Sequence, residues 1–127
     1  MIYVDSSALV KLAAEEAESG ALIGFLQGRS GALVTSVVTS VEVRRAARRV
    51  GAAEAGERAL RAVALVELTP ETRDLAVALE PTSLRSLDAI QLATALALGN
   101  ELESLVAYDK RLVDAARANG LEVVSPL

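Results

Sequence analysis

The 127-residue sequence contains no cysteine and no histidine. The absence of cysteine excludes a disulfide framework, a thiol nucleophile and a zinc–thiolate site. The absence of histidine excludes Ser-His and Cys-His catalytic groups, and it removes the usual ligand of catalytic zinc. Any catalytic metal would therefore have to be held by oxygen atoms, which are the ligands that suit Mg²⁺ and Mn²⁺.

Aromatic residues make up only 2% of the chain, whereas hydrophobic residues reach 52%. The hydrophobic fraction predicts a folded core of Ala, Leu and Val, and the scarcity of aromatic residues argues against base stacking as a binding mode. The chain starts without a basic segment before an apolar run, and no apolar stretch approaches the roughly 20 residues of a membrane helix. We therefore expect a soluble cytoplasmic protein with no membrane partner.

Short apolar runs rich in β-formers alternate with helical segments along the chain. This alternation predicts an α/β domain with a central, mostly parallel sheet, and the lack of repeats or linkers indicates one domain over residues 1–127. The predicted strands cover residues 2–5, 32–36, 66–68, 104–109 and 122–124. The predicted helices cover residues 6–16, about 21–28, 39–51, about 54–65, 70–79, 86–99 and 110–120.

Small polar residues stand where several of these helices would begin. Ser6 or Ser7 is predicted to cap the first helix, and Ser86 is predicted to cap the helix that follows it. Thr39 and Glu42 have the spacing of a capping box, which predicts a helix that begins just after Thr39.

Acidic residues stand at positions that suit a ligand site. Asp5 and Asp109 end the first and fourth predicted strands, and ligands of open parallel sheets bind beyond the carboxyl ends of the strands. Asp88 begins a helix that is apolar on nearly every face, where an ionised carboxylate without a partner is very costly. Helix capping or a first-turn position would also explain each of these residues, and the capping box would explain Glu42.

Carboxylates gathered at one edge of a sheet repel each other, and such a cluster normally exists because a divalent cation neutralises it. Mg²⁺ bound by oxygen ligands supports phosphodiester hydrolysis, because it activates a water molecule and neutralises the scissile phosphate. No protein nucleophile is needed for this reaction. The candidate metal-binding and catalytic residues are Asp5, Glu42, Asp88 and Asp109.

A basic stretch follows Glu42, although the whole chain has a net charge of −4. Residues 44–61 contain six arginines and two glutamates, which is a local net charge of +4. Arginine binds phosphate in a bidentate manner, so this stretch could guide an RNA backbone. It could equally be a solvated helix face, or an interface with an acidic partner or a second subunit. The candidate RNA-binding residues are Arg44, Arg45, Arg48 and Arg49.

Three stretches of the chain resemble the PIN domain nucleases, and more closely the VapC-type toxins of prokaryotic toxin–antitoxin pairs. They are YVDSSALVKL, LRSLDAIQLATAL and LVAYDKRLVDAARANGLEVVSP, and the resemblance extends over the whole chain. It implies a single PIN-like domain with a parallel five-stranded sheet flanked by helices. It also implies that the four acidic residues named above bind Mg²⁺ or Mn²⁺, with the hydroxyl groups of Ser6 and Ser7 supporting them.

The resemblance further implies an activity and a set of partners. VapC-like toxins of type II toxin–antitoxin systems are endoribonucleases that cut RNA such as transfer or ribosomal RNA. They usually form homodimers, and a cognate antitoxin inhibits them by covering or entering the acidic site. Two positions depart from the family pattern: Ala107 stands where many relatives have Thr or Ser, and Gln91 stands where they often have His. The change at Ala107 would affect the fine geometry of the metal more than the activity itself.

Other classes of protein are also compatible with an acidic sheet edge. A receiver domain with a phosphoacceptor Asp would need that Asp after the third strand, where Thr69-Pro70 follows residues 66–68, and a Lys after the last strand. A haloacid-dehalogenase-like phosphatase would need Asp at the position of Ser7. A PIN-fold RNA-binding or regulatory module without catalysis is the remaining alternative, although packing alone does not explain why all four acids are present.

Overall fold

A computed structural model describes residues 1–29 and 32–127 of the chain. Five strands form one parallel sheet in the order β3-β2-β1-β4-β5. The strands are β1 (Ile2–Val4), β2 (Leu33–Ser36), β3 (Ala64–Val66), β4 (Ser104–Val106) and β5 (Val123–Val124). This architecture confirms the predicted α/β class and the parallel five-stranded sheet. The strand order also differs from the 2-1-3-4-5 order of receiver domains, which argues against that alternative.

Seven α-helices connect and flank the strands in the described part of the chain, and one 3₁₀ turn, Gly99–Glu101, precedes β4. The helices are α1 (Ser6–Ala13), α2 (Ser19–Gln27), α3 (Val37–Arg49), α4 (Ala53–Arg61), α5 (Pro70–Ala78), α6 (Ser86–Ala97) and α7 (Lys110–Ala118). Gly51 and Gly99 follow α3 and α6 with positive φ angles of 69° and 57°. The sequence predicted both as helix ends, because glycine adopts this left-handed conformation without a steric penalty. No helix in the described residues is long and apolar enough to cross a membrane.

The two faces of the sheet pack into separate hydrophobic clusters. Ile2 and Val4 of β1 belong to a cluster with residues of α1 to α4, whereas Tyr3 belongs to a cluster with residues of α6 and α7. Successive side chains of a strand point to opposite faces, so the central strand contributes to both clusters. Ala107 is fully buried in the cluster that contains Tyr3, so its methyl group forms part of the core.

Two of the predicted helix caps are wrong. Asp5, not Ser6 or Ser7, is the N-cap of α1, because the strand ends one residue earlier and the Asp5 carboxylate accepts the Ser7 N–H. Arg85 occupies the N-cap position of α6, and Ser86 is the first helical residue. Both differences concern helix ends, which are hard to predict from a sequence because several neighbouring polar residues can cap the same helix.

The predicted capping box of Thr39 and Glu42 is also wrong. Helix α3 begins at Val37, and its N-cap is Ser36, whose hydroxyl accepts the Val38 N–H at 3.2 Å. Thr39 is therefore the third residue of the helix, the position at which a capping box would place the glutamate, and Glu42 lies three residues further along. The Glu42 carboxylate is free of a capping role and points to partners outside its own helix.

Several element boundaries differ from the prediction. The third strand is Ala64–Val66 instead of residues 66–68, and it is these three residues that pair with β2. Helix α1 ends at Ala13, three residues before the predicted end. Helix α4 ends at Arg61, before the predicted end near residue 65, because the third strand already begins at Ala64. Strand β4 ends at Val106, so Asp109 follows a short loop and does not end the strand itself.

Candidate active site

The strand order brings two of the predicted acidic residues to the same crevice. Strand β1 pairs with β4, with Val4 opposite Val106, and the Asp5 N–H donates to the Val106 carbonyl at 2.9 Å. The order of the strands reverses at β1, because β2 and β3 lie on one side of it and β4 and β5 on the other. Asp5 and Asp109 therefore follow the two strands that border the switch point, where open parallel sheets bind their ligands.

Asp5 lies at the bottom of this crevice and is only 2% exposed. Its Oδ2 atom accepts two hydrogen bonds from Ser7, one from the backbone N–H at 3.1 Å and one from the hydroxyl at 2.7 Å. Its Oδ1 atom is buried and has no hydrogen-bond partner among the described residues. Burial raises the pKa of this carboxyl above its ordinary value, and the hydrogen bonds from Ser7 act in the opposite direction.

The two serines after Asp5 contact different parts of the site. The Ser7 hydroxyl, besides donating to Asp5, accepts the Tyr108 N–H at 3.0 Å, so it joins the end of β1 to the loop that carries Asp109. The Ser6 hydroxyl lies 3.4 Å from Glu42 Oε2, at the long end of a hydrogen bond. Each of the two hydroxyls that the resemblance implies as supporting groups therefore contacts a carboxylate of the candidate site.

Glu42 reaches the same crevice from the second turn of α3. Its Oε1 atom accepts the side-chain amide of Gln91 at 3.0 Å. Burial raises the pKa of the Glu42 carboxyl, the hydrogen bonds from Gln91 and Ser6 lower it, and the charge of Asp88 raises it again. The influence of Asp88 shows that residues from two different helices share one electrostatic environment.

Asp88 lies in the first turn of α6, and Asp109 is the N-cap of α7, where its Oδ1 accepts the Leu112 N–H at 3.0 Å. Burial raises the pKa of Asp88, and the nearby charges of Asp109 and Asp5 raise it further. Helix capping, which was the alternative explanation for Asp109, is therefore real. It does not remove Asp109 from the acidic cluster, because only one of its oxygens is used.

The donor set of the crevice is suited to a hard cation. Its candidate ligands are all carboxylates, with Arg85 and Arg111 near Asp88, and the mutual repulsion of these carboxylates is what a divalent cation would relieve. The buried Asp5 Oδ1 is a polar atom that needs a partner, and a cation bound there would satisfy it. Within the described residues, no three carboxylates already have the arrangement of a metal site, and Glu42 is turned toward Gln91 and Ser6. The residues fit Mg²⁺ or Mn²⁺ in chemistry, and binding would require the side chains to adjust.

The structure divides the predicted arginine patch into two parts. Arg44 is paired with Glu57 of α4, with Nε to Oε1 at 2.7 Å and Nη2 to Oε2 at 3.3 Å. Arg45, Arg48 and Arg49 are exposed, line one shallow groove and form no ion pair with a described residue. Of the four candidate RNA-binding arginines, these three are therefore the ones without an ion pair to a described residue.

The sequence interpretation missed several residues of the site. Gln91 was noted only as a departure from a family pattern, yet it contacts Glu42 and is 1% exposed. A Gln in the middle of the apolar helix SLDAIQLATALA was the available signal, because a buried amide needs partners. Burial and the acidic neighbours raise the pKa of Asp88, and Arg85 and Arg111 lie close enough to oppose this with a smaller, lowering effect. No spacing rule singled out these two arginines.

An acidic crevice at the switch point of a five-stranded parallel sheet defines the class of protein: an α/β domain with a candidate cation site. A profile of the PIN domain matches residues 2–118. The chain belongs to the PIN domain family, and within it to the group of VapC ribonucleases, as the following relatives show.

Relatives of similar sequence include ribonucleases of Mycobacterium tuberculosis. Ribonuclease VapC46 is 46% identical over 127 residues, covering 98% of this chain and 97% of the relative. Ribonuclease VapC35 is 44% identical over 131 aligned positions, covering 99% of this chain and 97% of the relative. The resemblance to VapC-type proteins that the sequence motifs indicated is thereby confirmed.

Solved structures share the fold at lower sequence identity. The M. tuberculosis VapC20 structure, described as a sarcin-ricin loop cleaving toxin, superposes with a TM-score of 0.79 at 20% identity and covers 99% of this chain and all of that one. A toxin–antitoxin complex from Klebsiella pneumoniae gives a TM-score of 0.76 at 23% identity, covering 100% of this chain and 98% of that one. At these identities the likeness establishes the fold.

Proposed function

We propose that this protein is a Mg²⁺- or Mn²⁺-dependent endoribonuclease, the toxin of a type II VapBC-like pair. The observation that carries the proposal is the buried Oδ1 of Asp5, which has no hydrogen-bond partner among the described residues and lies near three further carboxylates at the switch point of the sheet. The full-length similarity to ribonucleases named VapC supports it. When bound, the metal would supply an activated water and neutralise charge on the scissile phosphate.

The protein's own residues would divide the work of holding the cation. Asp5 would bind through Oδ1, while its Oδ2 stays fixed by Ser7 and cannot rotate away. Asp88 would contribute a carboxylate that its acidic neighbours now repel. Asp109 would use the oxygen that does not cap α7, and Glu42 would use the oxygen beside Ser6.

The exposed arginines would bind the substrate backbone. Arg45 and Arg49 follow Glu42 by three and seven residues on α3, so they lie on the same side of that helix as the acidic site. A strand of RNA that enters the crevice could therefore continue along the groove of Arg45, Arg48 and Arg49, with its phosphates paired to guanidinium groups. Arg44 is a weaker candidate, because Glu57 already occupies it.

The proposed partners follow from the same relatives. The Klebsiella complex contains a toxin of this fold with its antitoxin, which supports a cognate antitoxin for this chain as well. We propose that the antitoxin inhibits by covering the acidic crevice, that the toxin works as a homodimer, and that its site of action is the cytoplasm, where its RNA substrate lies. Co-purification with the product of a small neighbouring reading frame, and loss of cleavage in that complex, would test the pairing.

The activity is tested with purified protein and an RNA pool, with Mg²⁺ or Mn²⁺ and then with excess EDTA. Cleavage that requires the metal and is lost in Asp88→Asn is expected. Asp114→Asn is the matched control, because Asp114 is an exposed residue of α7 paired only with Lys110. RNA binding without any cleavage would favour the non-catalytic module, and cleavage that persists in EDTA would contradict the metal-dependent mechanism.

A further inference from the structure

A network of buried polar groups lies directly behind the acidic crevice. Gln91 of α6 is 1% exposed, and its Oε1 atom accepts hydrogen bonds from two hydroxyls, those of Tyr3 on β1 and Thr39 on α3. The Thr39 contact is 2.9 Å long, and both hydroxyl residues are fully buried. Three elements of the fold thus converge on one amide oxygen.

The direction of each hydrogen bond in this network is determined by its neighbours. The Ser36 backbone N–H donates to the Tyr3 oxygen at 3.1 Å, so the phenol uses its own proton on Gln91. An ionised carboxylate only accepts, so the Gln91 atom that faces Glu42 must be the amide nitrogen, and the atom that meets both hydroxyls is the carbonyl oxygen, which accepts from them. The amide nitrogen then points the other way, to Glu42 Oε1 at 3.0 Å.

Turning the Gln91 amide over would be costly. Its oxygen would then face the Glu42 carboxylate, which puts two acceptors in contact, and both hydroxyls would have to turn to accept from the NH₂ group. A buried polar group without a partner costs about 1–3 kcal/mol, and more when a charge is involved. The two buried hydroxyls therefore hold the Gln91 amide in one orientation. In that orientation its NH₂ group donates to one oxygen of Glu42 and fixes its position.

Gln91 also connects Glu42 to Asp88. The two α6 residues are three positions apart, so they lie on the same face of the helix. Helix α6 thus carries the proposed metal ligand Asp88 and also the Gln91 amide, which holds Glu42, a second proposed ligand that belongs to α3. A displacement of α6 would move Asp88 and the Glu42 carboxylate together.

We propose that Gln91 is a positioning residue for Glu42. It holds Oε1 and leaves Oε2, beside the Ser6 hydroxyl, as the oxygen available to a divalent cation. This inference rests on the proposed metal-dependent function and adds to it a residue that does not itself touch the cation. The alternative is that the network only stabilises the core.

A double-mutant cycle of Mn²⁺ affinity, measured by titration calorimetry on the full chain without RNA, separates the two. The variants are Gln91→Met, Glu42→Gln and their combination. Outer partners of metal ligands contribute about 10–100-fold to affinity, so Gln91→Met should weaken Mn²⁺ binding by that order. The combined variant should bind no more weakly than Glu42→Gln alone, because Gln91 acts only through Glu42.

A purely structural role for Gln91 predicts a different result. Gln91→Met would then lower the unfolding free energy while Mn²⁺ affinity stays at the wild-type value, or its effect on affinity would add to that of Glu42→Gln. Either outcome overturns the proposal. Absence of Mn²⁺ binding by the wild-type protein would overturn the metal dependence as well, so failure of the two ideas can be told apart.

A second variant keeps the test decisive if Gln91→Met does not fold. Tyr3→Phe removes one of the two hydroxyl donors and leaves the ring in the core, so the Gln91 amide is less firmly oriented. Its Mn²⁺ affinity should fall, by less than in Gln91→Met, and again only when Glu42 is present. An unchanged affinity in Tyr3→Phe would contradict the network as the source of the orientation.

Discussion

Asp5 and Ser7 are joined by two hydrogen bonds to the same carboxylate oxygen, at 3.1 and 2.7 Å, while the other oxygen of Asp5 is buried without a described partner. One oxygen of this side chain therefore caps α1, and the other oxygen remains available as a ligand. This division explains how a single residue can satisfy both explanations that the sequence left open, a helix cap and a metal ligand.

The two roles of Asp5 can be separated by substitution. Asp5→Asn keeps an oxygen that accepts from Ser7 and removes a charge that is costly to bury, so the metal-free variant should be at least as stable as the wild type but inactive. Asp5→Ala also removes the cap and should be less stable than Asp5→Asn by about 1 kcal/mol. Urea unfolding and RNA cleavage measure the two effects. Equal stability of the two variants would contradict the capping role.

Asp88 should make the stability of the metal-free protein depend on pH. Burial and the charges of Asp109 and Asp5 raise its pKa above the ordinary value of 3.8, so the folded state binds this proton more tightly than the unfolded chain does. The resulting stabilisation is present below the ordinary value and is lost as the pH rises through the raised one. Asp88→Asn should therefore gain stability relative to the wild type as the pH rises from 3.8 through the raised pKa.

Urea unfolding in EDTA across that pH range checks this expectation, with Asp114→Asn as the control outside the crevice. A difference between Asp88→Asn and the wild type that stays constant with pH would contradict it. In excess Mg²⁺ the wild type should recover stability more than Asp88→Asn does, because a cation that binds only the folded state stabilises it by mass action.

The Ser7 hydroxyl should matter more for stability than the Ser6 hydroxyl. Ser7→Ala leaves the buried end of β1 without its contact to the Tyr108 N–H and removes one donor to Asp5, which should cost about 1–3 kcal/mol. Ser6→Ala removes a single contact of 3.4 Å and should change stability by about 0.5 kcal/mol or less. Denaturant unfolding of the two alanine variants provides the comparison, and similar losses in both would argue against the bridging role of Ser7.

The exposed arginines should account for part of the salt dependence of RNA binding. Each contact with a phosphate of single-stranded RNA contributes about 0.7 to the slope of log affinity against log salt, so Arg45→Gln and Arg48→Gln should each reduce the slope by that amount. Arg44→Gln should have a smaller effect because Arg44 is paired with Glu57. These titrations are best made with the inactive Asp5→Asn protein.

Arg117→Gln is the matched control for this measurement. It makes the same change of charge at the far end of α7, where the guanidinium lies near the Val123 carbonyl. Its slope should equal that of the parent protein. Slopes that change equally in all the variants would indicate a general effect of net charge, and unchanged slopes in Arg45→Gln and Arg48→Gln would leave the solvated-face interpretation.

Helices α3 and α4 approach each other closely at one glycine. A Cβ atom on Gly56 would lie 2.8 Å from the Ala47 Cβ, which is too short for a van der Waals contact. Gly56→Ala should therefore destabilise the protein by about 1–3 kcal/mol, whereas Gly24→Ala, where a Cβ would meet nothing within 4 Å, should stabilise α2 by about 0.5–1 kcal/mol. Opposite shifts in thermal unfolding are the expected result, and stabilisation by both would contradict the close packing.

Much of the fold could be predicted from the sequence. The alternation of apolar runs with helical segments is a local property, and it predicted five strands and the α/β class. Gly51 and Gly99 marked helix ends because their effect on the backbone is also local. The lack of Cys and His restricted any metal site to oxygen ligands whatever the fold turned out to be.

The partners of individual side chains could be found only in the tertiary structure. Gln91 is 49 residues from Glu42, and Arg44 is 13 residues from Glu57 on another helix, so no local pattern connects them. The choice between Asp5 and the following serines as the cap of α1 depended on where the strand ended. The sequence by itself determined which chemistry was possible, through its residue types and their periodicity. The order of the strands then decided which carboxylates meet, because contacts between distant segments depend on how the whole sheet is assembled.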